Sequence, residues 1–147
     1  MNNLQSIEFF VPEIILVIVI IASLITDLFL KKTRTDIVGW VLFIGLIIVG
    51  LSIINLYDLA PTTLFSDMIV LDPFSSFIKI IILIATLLVI IASWNSDELS
   101  KYGKGEYFTV LAIMVFGLFL MATSVDMLML YVSIEIVSIM SSFLLVI

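Results

Sequence analysis

IVGWVLFIGLIIVGLSIINLY, from Ile37 to Tyr57, passes without a single charged side chain. A helix rises about 1.5 Å per residue, and roughly 20 apolar residues cross a hydrocarbon core of about 30 Å. Apolar residues fill every face of this stretch rather than one stripe, so lipid or other apolar helices must cover it. Similar runs extend on both sides of it. Five spans are expected, at about 12–30, 37–57, 73–94, 107–124 and 127–147.

The whole composition agrees. Of 147 residues, 63% are hydrophobic and 12% charged, against about half and a quarter in soluble domains. A soluble globule of this size could not bury so much apolar surface. The expected fold class is an all-α integral membrane protein with one transmembrane domain, and no internal repeat or low-complexity segment is visible.

Local signals set the span boundaries. Pro12 suits a first helical position, where its missing N–H costs nothing. Glu13 follows in the first turn, where the helix dipole favours an anion. Asp72-Pro73 pairs a cap residue with a proline start. The N-terminal residues carry no basic region and no small-residue cleavage site follows, so the first run reads as a retained helix. The chain ends inside the apolar run from Ser141 to Ile147, with no basic flank, which suggests truncation of a longer protein.

Charge sorts the loops. The first holds Lys31, Lys32 and Arg34, and the third holds Lys101 and Lys104. The N-terminal tail, the second loop (Asp58 to Asp72) and the fourth turn hold no lysine or arginine. Basic loops face the cytoplasm, so the expected orientation has the N-terminus outside and the C-terminus inside. Trp40, Tyr57, Trp94 and Tyr107 fall near span ends, as an aromatic belt requires.

Several chemistries lack their residues. With no Cys and no His, the chain offers no thiolate or imidazole to Fe–S clusters, haem or structural zinc, and no Cys nucleophile or His base. Its acidic residues are scattered, without calcium-loop spacing, and no phosphate-binding glycine loop is present. A net charge of −6 with six basic residues argues against nucleic acid. The lipid bilayer is the one partner composition implies.

Glu135 is the strongest candidate for chemistry. It lies about nine residues into the fifth span, or ~13 Å along the helix, close to the bilayer midplane. A carboxylate there costs on the order of 2.5–3.5 kcal/mol on insertion scales, and such residues usually line an ion or proton path. Tyr131, Ser138 and Ser142 stand at i−4, i+3 and i+7 from it, on one helix face. Their hydroxyls could hold water or bond the carboxyl. The competing view makes Glu135 a structural residue bonded to a neighbouring helix, with the serines as small packing residues.

Lys79, two turns inside the third span, is a supporting candidate as partner of a carboxylate. The simpler expectation is that its long stem snorkels to the interface. Capping explains Asp126, and interfacial solvation suffices for Asp27. Asp97, Glu98 and Glu106 read as loop or helix-start charges.

The fourth and fifth spans carry a resemblance. Gly105-Glu106-Tyr107-Phe108, Met121-Ala122-Thr123-Ser124-Val125-Asp126-Met127-Leu128, and Tyr131 through Ile139 around Glu135 resemble the antiporter-like subunit N of bacterial respiratory complex I, the NADH–quinone oxidoreductase. Pro12-Glu13 and Asp72-Pro73-Phe74 with Lys79 resemble the family's first and third span entries. The resemblance implies a proton-translocating subunit of a bacterial inner membrane, with other complex I membrane subunits as partners. It implies that Glu135 is the key proton-channel glutamate, paired with a membrane lysine on helices beyond residue 147. It also implies that NADH, FMN, Fe–S clusters and quinone are bound by other subunits, with no cofactor on this chain. Related sodium/proton antiporters and membrane-bound hydrogenases use similar folds, and a non-catalytic scaffold or gene remnant is the third alternative.

Overall fold

The computed structural model describes residues 3–29, 36–58, 61–94, 96, 99 and 103–147. Leu30, Lys31, Lys32, Arg34, Asp97, Glu98 and Lys101 lie outside the described residues. Among these residues six helices follow in order: α1 (Asn3–Phe9), α2 (Val11–Phe29), α3 (Asp36–Leu56), α4 (Pro73–Ser93), α5 (Lys104–Thr123) and α6 (Met127–Val146). The last five are long and apolar enough to cross a membrane. The chain is an all-α integral membrane protein with five spanning helices, at the places expected to within a few residues.

The boundary signals act as their chemistry requires. Asp72 caps α4 by accepting from the Ser75 amide at 2.8 Å, and Ser75 Oγ returns the bond to the Asp72 amide at 3.2 Å. Asp126 caps α6 by accepting from the Leu128 amide at 3.2 Å. The largest boundary error is at α5, which begins at Lys104, three residues before Tyr107.

In the bundle, α5 is central. It packs against α2, α3, α4 and α6, while α3 bridges α2 and α4. Leu16, Leu42, Leu46, Ile90, Val115 and Phe119 are among the fully covered residues of this core. α6 stands on the outside, packed chiefly on α5. Gly117 makes that contact close: a Cβ there would lie 2.8 Å from Ile136 Cγ2.

The second loop is not plain coil. Thr62–Leu64 (β1) and Ile69–Leu71 (β2) form a short antiparallel hairpin, pairing Thr62 with Leu71 and Leu64 with Ile69. Its turn sets Phe65, Ser66 and Asp67 in the left-handed region, with φ of 52°, 57° and 66°. The Met68 carbonyl accepts from the amides of Val125 and Asp126, at 3.0 and 3.4 Å. Phe65 meets Phe10 edge to face at 5.3 Å, and its amide donates to Ser6 Oγ at 3.4 Å. α1 and the hairpin thus close one end of the bundle with an apolar plug around Leu64, Ile69 and Leu120.

The opposite end holds the start of α3, the end of α4 and the start of α5. There Lys104 Nζ donates to the Trp94 carbonyl at 2.9 Å and to Asp36 Oδ1 at 3.4 Å, tying the start of α3 to the end of α4 and the start of α5. Trp40 and Trp94 pack edge to face at 4.6 Å, and Ser93 Oγ donates to the Tyr107 hydroxyl at 3.3 Å.

Candidate proton-site residues

α6 divides into two faces. Ser133 is its one fully buried residue, with its hydroxyl donating to the Met129 carbonyl at 2.7 Å. Ile136 and Val137 meet Gly117 of α5 on the same side. At about 100° per residue, Glu135 then points away from α5. Tyr131, Glu135, Ser138 and Ser142 are all exposed, so the expected hydroxyl–carboxyl face exists as a single strip. The Tyr131 phenol neighbours the Glu135 carboxylate one turn on. Ser141 and Ser142 both donate to the Ser138 carbonyl at 2.9 Å, so these two hydroxyls serve the helix backbone rather than the carboxylate.

Lys79 behaves differently from the sequence expectation. It does not snorkel. Its side chain is 2% exposed and is ion-paired and hydrogen-bonded to Glu13 Oε1, itself 1% exposed. The ammonium also sits 5.7 Å from the centroid of the Phe119 ring. A snorkelling lysine reaches for water because nothing nearer satisfies its charge; here a carboxylate from α2 does. Lys79 is therefore turned to Glu13 and stands apart from the Tyr131–Ser142 strip.

Glu13 was missed as a site residue because its first-turn position had a sufficient local explanation. The signal was available: Glu13 and Lys79 are opposite charges inside apolar runs near the same end of their spans. Such residues in a membrane pair with one another.

Asp27 has a neighbour of its own sign. It lines a cleft at the loop end of the bundle with Leu24, Glu106, Thr109 and Phe143. It also crowds the first turn of α5, where a Cβ on Gly105 would meet Asp27 Oδ1 at 1.6 Å. The glycine of the Gly105-Glu106-Tyr107 motif is thus a requirement of close approach. No group of three or more metal-ligating side chains occurs among the described residues.

Comparison with known proteins adds the lineage. No family model matches the sequence. Subunit N 2 of NADH-quinone oxidoreductase from Chloroherpeton thalassium is 36% identical over 135 residues, covering 90% of this chain and 26% of that protein. Subunit N from Ruthia magnifica is 31% identical over 143 residues, covering 94% and 30%. Subunit N from Anoxybacillus flavithermus is 30% identical over 137 residues, covering 92% and 27%. The resemblance to subunit N read from the motifs is borne out along about nine-tenths of the chain. The chain spans between a quarter and a third of the length of these relatives.

Proposed function

We propose that this chain serves as the N-terminal part of a proton-translocating subunit N of NADH-quinone oxidoreductase, with Glu135 as a proton-carrying group. The carrying observation is the placement of Glu135: mid-span, on the outward face of α6, flanked by Tyr131 and Ser138, in a helix otherwise apolar there. A bare carboxylate facing lipid costs on the order of 2.5–3.5 kcal/mol. The face calls for a polar counterpart, such as a membrane lysine or a file of water, supplied by further helices or another subunit. Lys79 is a poor candidate for that role because Glu13 holds it.

The rest of the reading extends the kinship with subunit N and the loop charges. The chain sits in a bacterial inner membrane beside other membrane subunits of the complex. The basic-loop end faces the cytoplasm, and the α1–hairpin end faces outward. NADH, FMN, Fe–S clusters and quinone are bound by other subunits, and this chain contributes proton movement and no redox step. Glu135 is the group on this chain that receives and passes on the proton, and its counterpart is supplied from outside these 147 residues.

The test is Glu135→Gln in the full-length subunit within the assembled complex. Inverted membrane vesicles should then show proton pumping reduced at least severalfold per NADH oxidised, with the subunit present at its normal level. Normal pumping by this variant would remove Glu135 from the pathway.

A further inference from the structure

The Glu13–Lys79 pair has no part in the proton reading above. Its position gives it another. α2 packs on α3 and α5, and α4 packs on the same two helices, so α2 and α4 stand across the bundle from one another. The pair joins them through the interior, with both side chains essentially closed to the surroundings. Leu16 and Leu83, one helical turn on from Glu13 and Lys79, are buried, and the buried Phe119 ring lies 5.7 Å from the Lys79 ammonium. Among the described residues of α3 and α5, the charged side chains are Asp36, Lys104 and Glu106, and all three lie at the opposite end of the bundle. Asp72, the nearest further acid along the chain, is committed to the α4 cap, and Glu8 of α1 is exposed.

We infer that Glu13 and Lys79 are a positioning pair, which fixes the depth and roll of α4 against α2 and so frames the two sides of α5. Apolar contacts between smooth helices tolerate sliding by a turn, because one leucine or isoleucine can replace another. A single buried charge pair does not, because every shifted register leaves both charges unmatched. Replacing a buried ion pair by well-packed apolar residues is often neutral or stabilising, so the role assigned to this pair is register rather than stability. Since α6 is mounted on α5, the pair also steadies the platform carrying Glu135. That last consequence rests on the proton reading; the geometric role does not.

The test is a distance measurement in the full-length subunit reconstituted in lipid bilayers. The 147 residues contain no cysteine, so Ile18→Cys on α2 and Ile84→Cys on α4, both on the outer surface of this five-helix bundle, take spin labels without competition from this region. The parent should give one narrow interlabel distribution. Glu13→Gln combined with Lys79→Met removes both charges, avoids an unpaired one, and should let the subunit insert with a distribution at least twice as broad or split in two. The reversed pair, Glu13→Lys with Lys79→Glu, should return the narrow distribution, a rescue that simple loss of packing does not predict. A distribution in the neutral double variant as narrow as the parent's would overturn the positioning role. Because no step involves Glu135, failure here leaves the proton reading standing, and normal pumping by Glu135→Gln leaves the positioning pair standing.

Discussion

Glu13 and Glu135 both lie inside apolar helices of this protein, and the bundle treats them in opposite ways. Glu13 is closed off and answered by Lys79 from within the same bundle. Glu135 is left on an outward face, with a phenol and serines for company. Both charges are costly in a bilayer. The first cost is met by a local partner that makes the site static. The second is left to be met from outside, and a charge whose partner comes from elsewhere can respond to that partner's movement. On the proposed reading, the contrast separates a carboxylate used for architecture from one used in proton transfer.

The strongest way to break this contrast is to make the same substitution at both places. Glu13→Gln leaves Lys79 as a buried, unanswered cation, and removing one member of such a pair typically costs about 3–5 kcal/mol. Membrane insertion yield and thermal stability in detergent should fall accordingly, and Lys79→Met should behave alike from the other side. Glu135→Gln removes a charge that no opposite charge of the described bundle answers, so stability should hold or rise slightly while pumping falls at least severalfold. Equal destabilisation by the two glutamine variants would erase the distinction.

A second pair of variants probes the two faces of α6. Gly117→Val forces a side chain into a gap where a Cβ would already approach Ile136 Cγ2 at 2.8 Å. Overpacking of this kind costs about 1–3 kcal/mol. Ser133→Leu crowds the same contact and should cost a similar amount. Ser138→Leu, on the Glu135 strip, meets no neighbour in the described bundle and should leave the stability of the five-helix unit unchanged. Thermal melts of the purified membrane protein would rank the three. A melt for Ser138→Leu as low as that for Ser133→Leu would mean that both faces of α6 are packing faces.

These contrasts also mark how far the sequence could be read. The five spans were legible because each is a long, predominantly apolar run, and their starts were legible where a cap residue precedes proline, as at Asp72-Pro73. The strip from Tyr131 to Ser142 was legible because helical spacing alone puts those residues on one face. Which face of α6 meets α5 was not, since serines lie on both sides of the helix and the contact is marked by Ser133 and by the close approach at Gly117. The Lys79 partner was not read either. Snorkelling and pairing look the same along one helix, and the choice depends on a residue 66 positions earlier in the chain. The hairpin left a weak trace: β-branched Thr62, Thr63, Ile69 and Val70 flank Ser66-Asp67, a pattern of strands around a turn. It was obscured because its turn contains no glycine despite three left-handed residues.

The smallest expected effect concerns how the two helices carrying these charges begin. α4, which holds Lys79, starts with a reciprocal box in which Asp72 and Ser75 exchange two hydrogen bonds. α6, which holds Glu135, starts with one bond from the Leu128 amide to Asp126. Loss of an N-cap side chain costs about 0.5–2 kcal/mol. Asp72→Ala gives up its half of the box and leaves Ser75 Oγ bonding alone, so about 1 kcal/mol or slightly more is expected. Asp126→Ala should cost the lower end of that range, because the Met68 carbonyl still holds the Asp126 amide and so fixes the entry to the helix without the carboxylate. Amide hydrogen exchange in the first turns of α4 and α6 would separate the two, with faster exchange at Ser75 in the first variant than at Leu128 in the second. The reverse order would place the firmer helix start under Glu135 rather than under Lys79, and rigidity would then no longer track the buried ion pair.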